Sequence, residues 1–462
     1  MPESSAYAGI PVFHFGYILT AEAMILFMEN RLREKRIKIL VGITLAVAAI
    51  GLGIAVSAFG HREETYQAAE SETVSAAATG TEETAETEAA AAAVETAETE
   101  AAAAEETAET EDDGSAEEKA EDVKNSKDAE MEEEEPEGYD IVLSFAGDIC
   151  FDDSCAVMQD YIGQGEKLEN NIAPELIKMM RDADVCFVNN EFAYSDRGKP
   201  LENKMYTFRA SPERASMLQE LGVDIAGLAN NHVYDFGAEA MEDTFLALNQ
   251  IGIDYVGAGR NLEEAMTPVY REIDGIKIAY VAASRAEKFK MTPQATEDAA
   301  GILRCYDTEL FLQEIREARA QADYVIAIVH WGTEYSTELE EVQTVTGREY
   351  IDAGADIVIG GHTHCLQGME YYKGKPILYS LGNFWFNDKP LDSMLVQVRL
   401  SGDDKASEIT DEHVEVQIVP ARQENCKTRI LEGEDAERLF NDLERISEGV
   451  AIDEKGVMHI IP

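Results

Sequence analysis

Basic residues are scarce in this chain of 462 residues: 38 lysines and arginines face 91 aspartates and glutamates, for a formal charge of −53. Binding a phosphate backbone takes clustered Lys and Arg, and the chain has one short run of them, Arg31, Arg33, Lys35, Arg36 and Lys38. Nucleic acid is thereby excluded as a partner. Cysteine is also thin: six in the whole chain, with no C-x-x-C pair, rule out a disulfide framework, a zinc knuckle or a thioredoxin-type site. Cys150, Cys155, Cys186, Cys305, Cys365 and Cys426 are read first as buried small apolar residues.

Charge is missing altogether from Ile39 to Phe59, ILVGITLAVAAIGLGIAVSAF, about twenty residues with no polar stripe. At 1.5 Å per residue such a run spans a hydrocarbon layer of about 30 Å, so residues 39–59 are expected to form a single transmembrane helix. The basic run lies just before it and the chain turns acidic just after, which places residues 1–38 in the cytoplasm and everything beyond the span outside the cell membrane. The run is longer than the apolar core of a cleaved signal peptide, so a retained anchor is expected. Met24 and Met28 are candidate natural starts.

Aromatic residues are almost absent from residues 60–138, where about 28 acids stand against about 4 bases and TAETE recurs at Thr84–Glu88, Thr96–Glu100 and Thr107–Glu111. A segment of Ala, Glu and Thr cannot bury enough apolar surface to offset chain entropy, and its like charges repel. It is expected to be a disordered acidic stalk, either a spacer through a cell wall or a drifting low-complexity linker.

From Tyr139 the character changes. Short runs rich in Val, Ile and Ala (Ile141–Ala146, Val185–Asn189, Ile225–Ala229, Ile253–Val256, Ile278–Ala283, Tyr324–Val329, Ile357–Ile359, Ile377–Tyr379) alternate with amphipathic stretches around Pro174–Ala183, Pro212–Leu221, Ala238–Gln250, Glu309–Gln321 and Thr344–Ala353. Buried strands alternating with helices mean an α/β domain over residues 139–462. Two later strands, Leu395–Leu400 and His413–Val419, and a helix near Asp435–Ser447 are expected to close its edge.

The residues able to bind a metal fall directly after these strands: Asp148 in SFAGD, Glu191 in FVNNE, Asn231 and His232 in GLANNH, His330 in AIVH, His362 and His364 in IGGHTH. Ligands of an open α/β sheet bind outside the carboxyl ends of its strands, so five tips converge on one crevice. Two carboxylates, a carboxamide and several imidazoles suit one or two borderline divalent ions such as Mn, Zn or Fe.

In this order the motifs resemble the signature of the calcineurin-like metallophosphoesterases. A-G-D-I-C-F, N-N-E-F, A-N-N-H-V-Y-D-F-G, H-W-G-T-E-Y, G-G-H-T-H and Y-S-L-G-N-F-W-F are similar to its CapA, or poly-γ-glutamate capsule synthesis, branch, over roughly Asp140 to Leu400. The resemblance implies a metallophosphoesterase-like β-sandwich flanked by helices. It also implies that Asp148, Glu191 and His364 hold one ion while Glu191, Asn231, His330 and His362 hold the other, with His232 as the proton-transferring catalytic residue. A shared carboxylate would set two ions about 3.5–4 Å apart. The wider pattern has His where this chain has Cys150, which is either a thiolate ligand or, the preferred reading, an apolar replacement. It also has Asp where this chain has Glu191.

Arg209, Asn230, Asp235, Trp331, Glu334 and Asn383 are the candidate substrate-binding residues, each with local packing or turn chemistry as the equal alternative. Cys365 is expected to pack. The function implied is metal-assisted hydrolysis or transfer on poly-γ-glutamate or another capsular polymer, alongside membrane synthase or export subunits. A non-catalytic assembly or polymer-binding subunit is the alternative.

Overall fold

The computed structural model describes residues 138–287, 291–403 and 409–461. The expected cytoplasmic segment and membrane span, and the stalk up to residue 137, lie outside the described residues. Among the described residues no helix is long and apolar enough to cross a membrane.

In chain order the principal elements are β1 (Tyr139–Ile149), α1 (Ala156–Gly163), α2 (Pro174–Asp182), β2 (Val185–Asn190), α3 (Ser216–Leu221), β3 (Ile225–Gly227), α4 (Ala238–Ile251), β4 (Asp254–Val256), β5 (Val269–Ile273) and β6 (Ile276–Ser284). There follow α5 (Glu309–Arg319), β7 (Tyr324–His330), α6 (Glu341–Ala353), β8 (Ile357–Gly361), β9 (Met369–Tyr372), β10 (Lys375–Leu378), β11 (Asn383–Trp385), β12 (Leu391–Gly402), β13 (Val414–Glu424), β14 (Lys427–Ile430) and α7 (Glu434–Ile446).

Two mixed sheets result. The first runs β14-β13-β12-β1-β2-β3-β4, with β11 beside the end of β1, and the second runs β9-β10-β8-β7-β6-β5. Pairing is parallel where helices connect the strands, as in β1-β2-β3-β4 and β6-β7-β8, and antiparallel where hairpins do, as in β12-β13 and β5-β6.

Because parallel strands bury both faces, β2 and β7 are buried at every position rather than alternating, with polar residues confined to their carboxyl ends. Their alternate residues feed two different cores. Phe145, Val185 and Ile225 of the first sheet meet Tyr280, Ile326 and Ile357 of the second in one cluster, so the sheets pack face to face. Val188, Ala226 and Cys186 point the other way, against Leu176, Leu218 and Phe245 of α2, α3 and α4. On the far side Val281, Ala327 and Val358 pack on Phe311, Ile315 and Tyr350 of α5 and α6. The domain is thus a β-sandwich with helices on both outer faces. Helix α7 adds Leu439, Phe440 and Leu443 to the inter-sheet core.

Local signals account for the helix ends. Pro174 opens α2, Glu340 and Gln343 form a capping box on α6, and Gly252 closes α4 in the left-handed conformation. Most expected elements appear within a few residues of their expected bounds. The stretch 212–221 departs from expectation, as a 3-10 turn over Pro212–Ala215 that feeds α3.

Candidate metal centre

Three parallel strands of one sheet and two of the other bring their carboxyl ends to one place. Gly147 makes the first approach possible: a Cβ there would stand 1.9 Å from the Gly382 carbonyl, and the Asp148 amide instead donates to that oxygen at 3.0 Å. Asp148 is so pinned between β2 and the start of β11. Glu191 follows β2, and Asn231 and His232 sit in the turn after β3. The Asn230 amide builds that turn, accepting from the amides of His232 at 3.1 Å and Val233 at 3.0 Å and donating to the Asn190 carbonyl at 2.9 Å. From the second sheet come His330, the last residue of β7, and His362 and His364 after β8, both held at positive φ of 90° and 57°. Such backbone costs on the order of 1–3 kcal/mol and persists where surroundings over-determine it.

The side chains fall into two groups sharing one carboxylate, Glu191 with His330 and His362, and Asp148 with Glu191 and His364. Within each group the ligand atoms lie within 4.8 Å of one another. His330 Nε2 stands 3.4 Å from Glu191 Oε1 and 2.8 Å from Asn231 Oδ1, and His364 Nδ1 stands 3.2 Å from Asp148 Oδ2. All are buried, yet Glu191 Oε1, Asp148 Oδ2 and His362 Nδ1 accept or donate no hydrogen bond. Orphaned buried polar atoms are costly, and three converging here fit the demands of a divalent cation.

The two histidines of H-x-H have opposite electrostatics. Burial, with His330 and His364 beside it, drives His362 well below the usual imidazole range. Burial would lower His364 too, but the Glu191 and Asp148 carboxylates beside it outweigh it and push it up to about 9. Burial opposes ionisation of Asp148 as well, and the contact with His364 overcomes it, leaving that carboxyl below its ordinary range.

His232 stands beside this pair of groups, with Nε2 3.9 Å from Glu191 Oε1. Its Nδ1 meets Asp235 Oδ2 at 2.6 Å, and Asp235 also accepts from the Phe208 amide at 2.7 Å and pairs with Lys204 Nζ at 2.7 Å. Lys204 further bonds the Asn231 carbonyl and pairs with Glu287 at 3.0 Å. Phe208 lies against the His232 ring with 4.6 Å between centroids.

Of the other expected residues, Asp235 orients His232, and Asn383 orients His364 through a 2.8 Å contact from Oδ1 to Nδ1. Glu334 is exposed near His364 and helps raise it. Three other candidates take the packing or turn alternative in the contacts they make. Trp331 is 0% exposed, stacked with Tyr350 and Tyr379 and donating its indole N–H to the Tyr379 carbonyl at 2.9 Å, so it supports the loop from beneath. Asn230 is spent on turn hydrogen bonds. Arg209 lays its guanidinium over Phe236 and donates to the Arg197 carbonyl at 3.1 Å, without a bond to the cluster. Cys150 is buried with its sulfur 3.6 Å from that of Cys155, burial raises its thiol well above the usual range, and it belongs to neither ligand group, in keeping with the apolar reading. Sequence reasoning missed Asn189, whose amide donates to Asp148 Oδ1 at 2.7 Å, and Lys204. The first lay in plain view within N-N-E; nothing local marked the second.

The family model described as Bacterial capsule synthesis protein PGA_cap matches residues 142–388. The chain belongs to that family. The matched stretch holds every residue of both groups together with His232 and Asp235. Among relatives in the capsule synthesis family, the capsule biosynthesis protein CapA of Bacillus anthracis is 33% identical over 242 residues, 51% of this chain and 56% of the relative. The PGA biosynthesis protein CapA of Bacillus subtilis is 30% identical over 265 residues, 56% of this chain and 67% of the relative. The chain therefore spans between about half and two thirds of the length of these relatives. Similarity to solved structures is distant. The NAD nucleotidase of Haemophilus influenzae has a TM-score of 0.33 at 10% identity over 68% of this chain and 57% of that one. The 5′-nucleotidase of Candida albicans has 0.34 at 12% over 61% and 52%.

Proposed function

We propose that this member of the capsule synthesis family is an enzyme held at the cell membrane by residues 39–59, acting outside on poly-γ-glutamate or a related capsular polymer by metal-dependent hydrolysis or transfer. The observation that carries the reading is the shared carboxylate: two buried ligand groups meet at Glu191, with an oriented imidazole 3.9 Å away. The relatives' names supply the polymer.

Asp148, Glu191 and His364 would hold one divalent ion, and Glu191, Asn231, His330 and His362 the other. Divalent ions there would supply Lewis-acid polarisation of the scissile group and an acidified water. The chain's own part is proton handling and positioning. Asp235 fixes the Nδ1 side of His232, leaving Nε2, on the Glu191 side, to deliver a proton to the departing atom. Asn383 and Asn189 hold His364 and Asp148 in place. Phe208 and Phe386 pack against His232 and His364, keeping bulk water from those faces.

One observation favours the second reading, a non-catalytic assembly or polymer-binding subunit: Cys150 stands where the wider superfamily has a histidine ligand, so the Asp148 group is one imidazole short. Purified full-length chain, supplied with Mn or Zn and assayed for bound metal and for cleavage of poly-γ-glutamate and of aryl phosphate esters, decides between them. One or two tightly held ions with metal-dependent turnover support the enzyme. Tight metal without turnover favours the assembly subunit, and turnover without metal refutes the mechanism. For the topology, protease added to intact cells should release a soluble fragment beginning within residues 62–138; a full-length cytosolic protein refutes it.

A further inference from the structure

Beyond the centre, Lys389 is a cation without a counter-ion. Lys389 is exposed, and among the described residues its ammonium makes no ion pair, in a chain where acids outnumber bases by 91 to 38. Its neighbours are committed: Arg422 pairs with Asp392 at 2.7 Å and Glu424 at 3.1 Å, and Arg445 with Asp442 at 3.1 Å. The Lys389 Nζ lies instead 3.7 Å from the centroid of the Tyr335 ring. A cation–π contact of this kind fixes an ammonium in space without neutralising it.

Tyr335 is itself placed under constraint. It has φ of 58°, its amide donates to the Thr363 carbonyl at 2.7 Å, and the residue is 44% exposed while its ring lies 5.5 Å from the His364 ring. Tyr335 is a platform between the centre on one side and a free positive charge on the other.

The surface continues past this pair. Cys365, the next residue after His364, and Pro390, the next after Lys389, form the near end of a cleft of about 320 Å³ whose lining joins Leu366, Leu391 and the largely buried Leu439 and Leu443 to the paired charges Arg422–Asp392 and Arg445–Asp442. An uncompensated ammonium suits a carboxylate or a phosphate, whereas an aliphatic lining suits methylene groups. A chain whose units each carry one carboxylate on an aliphatic backbone satisfies both.

We propose that Lys389 and Tyr335 form a carboxylate-reading subsite beside the centre, and that the anionic chain it grips runs on into the leucine-lined cleft. This deepens the reading that the centre serves a carboxylated polymer and rests on it for the substrate class, but it concerns binding and not turnover.

The test measures binding to the full-length chain in chelator, so that no ion contributes, using fluorescein-labelled γ-glutamyl hexamers and dimers. Lys389→Ala should weaken the hexamer by about fivefold, in keeping with one exposed charge pair, and Lys389→Glu by more, while Lys389→Arg retains most of the affinity. Leu391→Asp, at the half-buried rim of the cleft, should weaken the hexamer and spare the dimer. Metal content and hydrolysis of an aryl phosphate, which carries no carboxylate, should be unchanged in the Lys389 variants. Equal hexamer affinity in Lys389→Ala and wild type overturns the proposal. So does equal competition by a glycerol-phosphate oligomer, since the site would then read charge alone. A parallel loss of aryl phosphate hydrolysis also overturns it, since Lys389 would then be structural. Failure of the chain to take up metal would sink the proposed function and leave this binding result standing.

Discussion

His362 and His364 are two residues apart, on one turn, both buried and both at positive φ, and their charge states are opposed. His362 looks toward His330 and has no hydrogen-bond partner on Nδ1; it is held neutral. His364 lies between Asp148 and Asn383 and is held protonated to about 9. What the difference teaches is that an H-x-H motif specifies where imidazoles go and not what they do. The Glu191–His330–His362 group is ready for a cation as it stands, while the Asp148–Glu191–His364 group already contains one, the imidazolium, which an incoming ion must deprotonate.

Removing the residue that both groups share erases the comparison and has the largest expected effect. Glu191→Gln should leave no stoichiometric metal by plasma mass spectrometry; retention of even one tight ion means the groups do not meet at this carboxylate. Next comes His232→Ala, expected to keep its metal and to slow substrates with poor leaving groups by about 10²–10⁴-fold while sparing nitrophenyl esters, whose departing oxygen needs little proton help. Metal loss in this variant matching that of His364→Ala would refute the division of labour.

The comparison sharpens with pH. In titrations of apoprotein, affinity at the group containing His364 should climb as pH rises toward about 9, while affinity at the group containing His362 should stay flat above pH 6.5. The same shift bears on stability. A His raised from about 6.5 in the unfolded chain to about 9 stabilises the folded form fully below pH 6.5, and that contribution is lost as pH rises through 9. Metal-free protein should therefore melt lower at pH 9.5 than at pH 6, and His364→Ala should flatten the slope; an unaltered slope removes His364 from the account. The smallest effect is expected of Cys150→Ala: no change in metal content, and a loss of about 1 kcal/mol in urea melts from the small cavity.

How much of this was legible beforehand follows from what kind of information each residue carries. The convergence of Asp148, Glu191, Asn231, His330, His362 and His364 was readable because strand ends are readable: apolar runs of three to six residues locate the sheet, and topology does the rest. For Trp331 and Asn230 two readings stayed equal because a strand tip holds both the groups that face a ligand and those that build the turn, and only the packing of Tyr350 and Tyr379, or the carbonyl of Asn190, weighs between them. Lys204 and Phe386 reach the site from loops with no periodic pattern, so their roles exist only in three dimensions. The sandwich itself lay beyond strand patterning and came from the family resemblance, since two sheets and one long sheet share the same run of buried strands.

The parentage of the ligands has one more consequence. Asp148, Glu191 and Asn231 belong to the first sheet, His330, His362 and His364 to the second. Whatever cation binds there is a rivet through the seam of the sandwich. At a hundred times its dissociation constant a bound ligand adds about 2.7 kcal/mol to folding, and here that increment would be applied across the one plane along which the two halves could part. Chelation would then act on this domain as a mechanical loosening, felt by Phe145 and Tyr280 at the shared core as much as by the histidines at its rim.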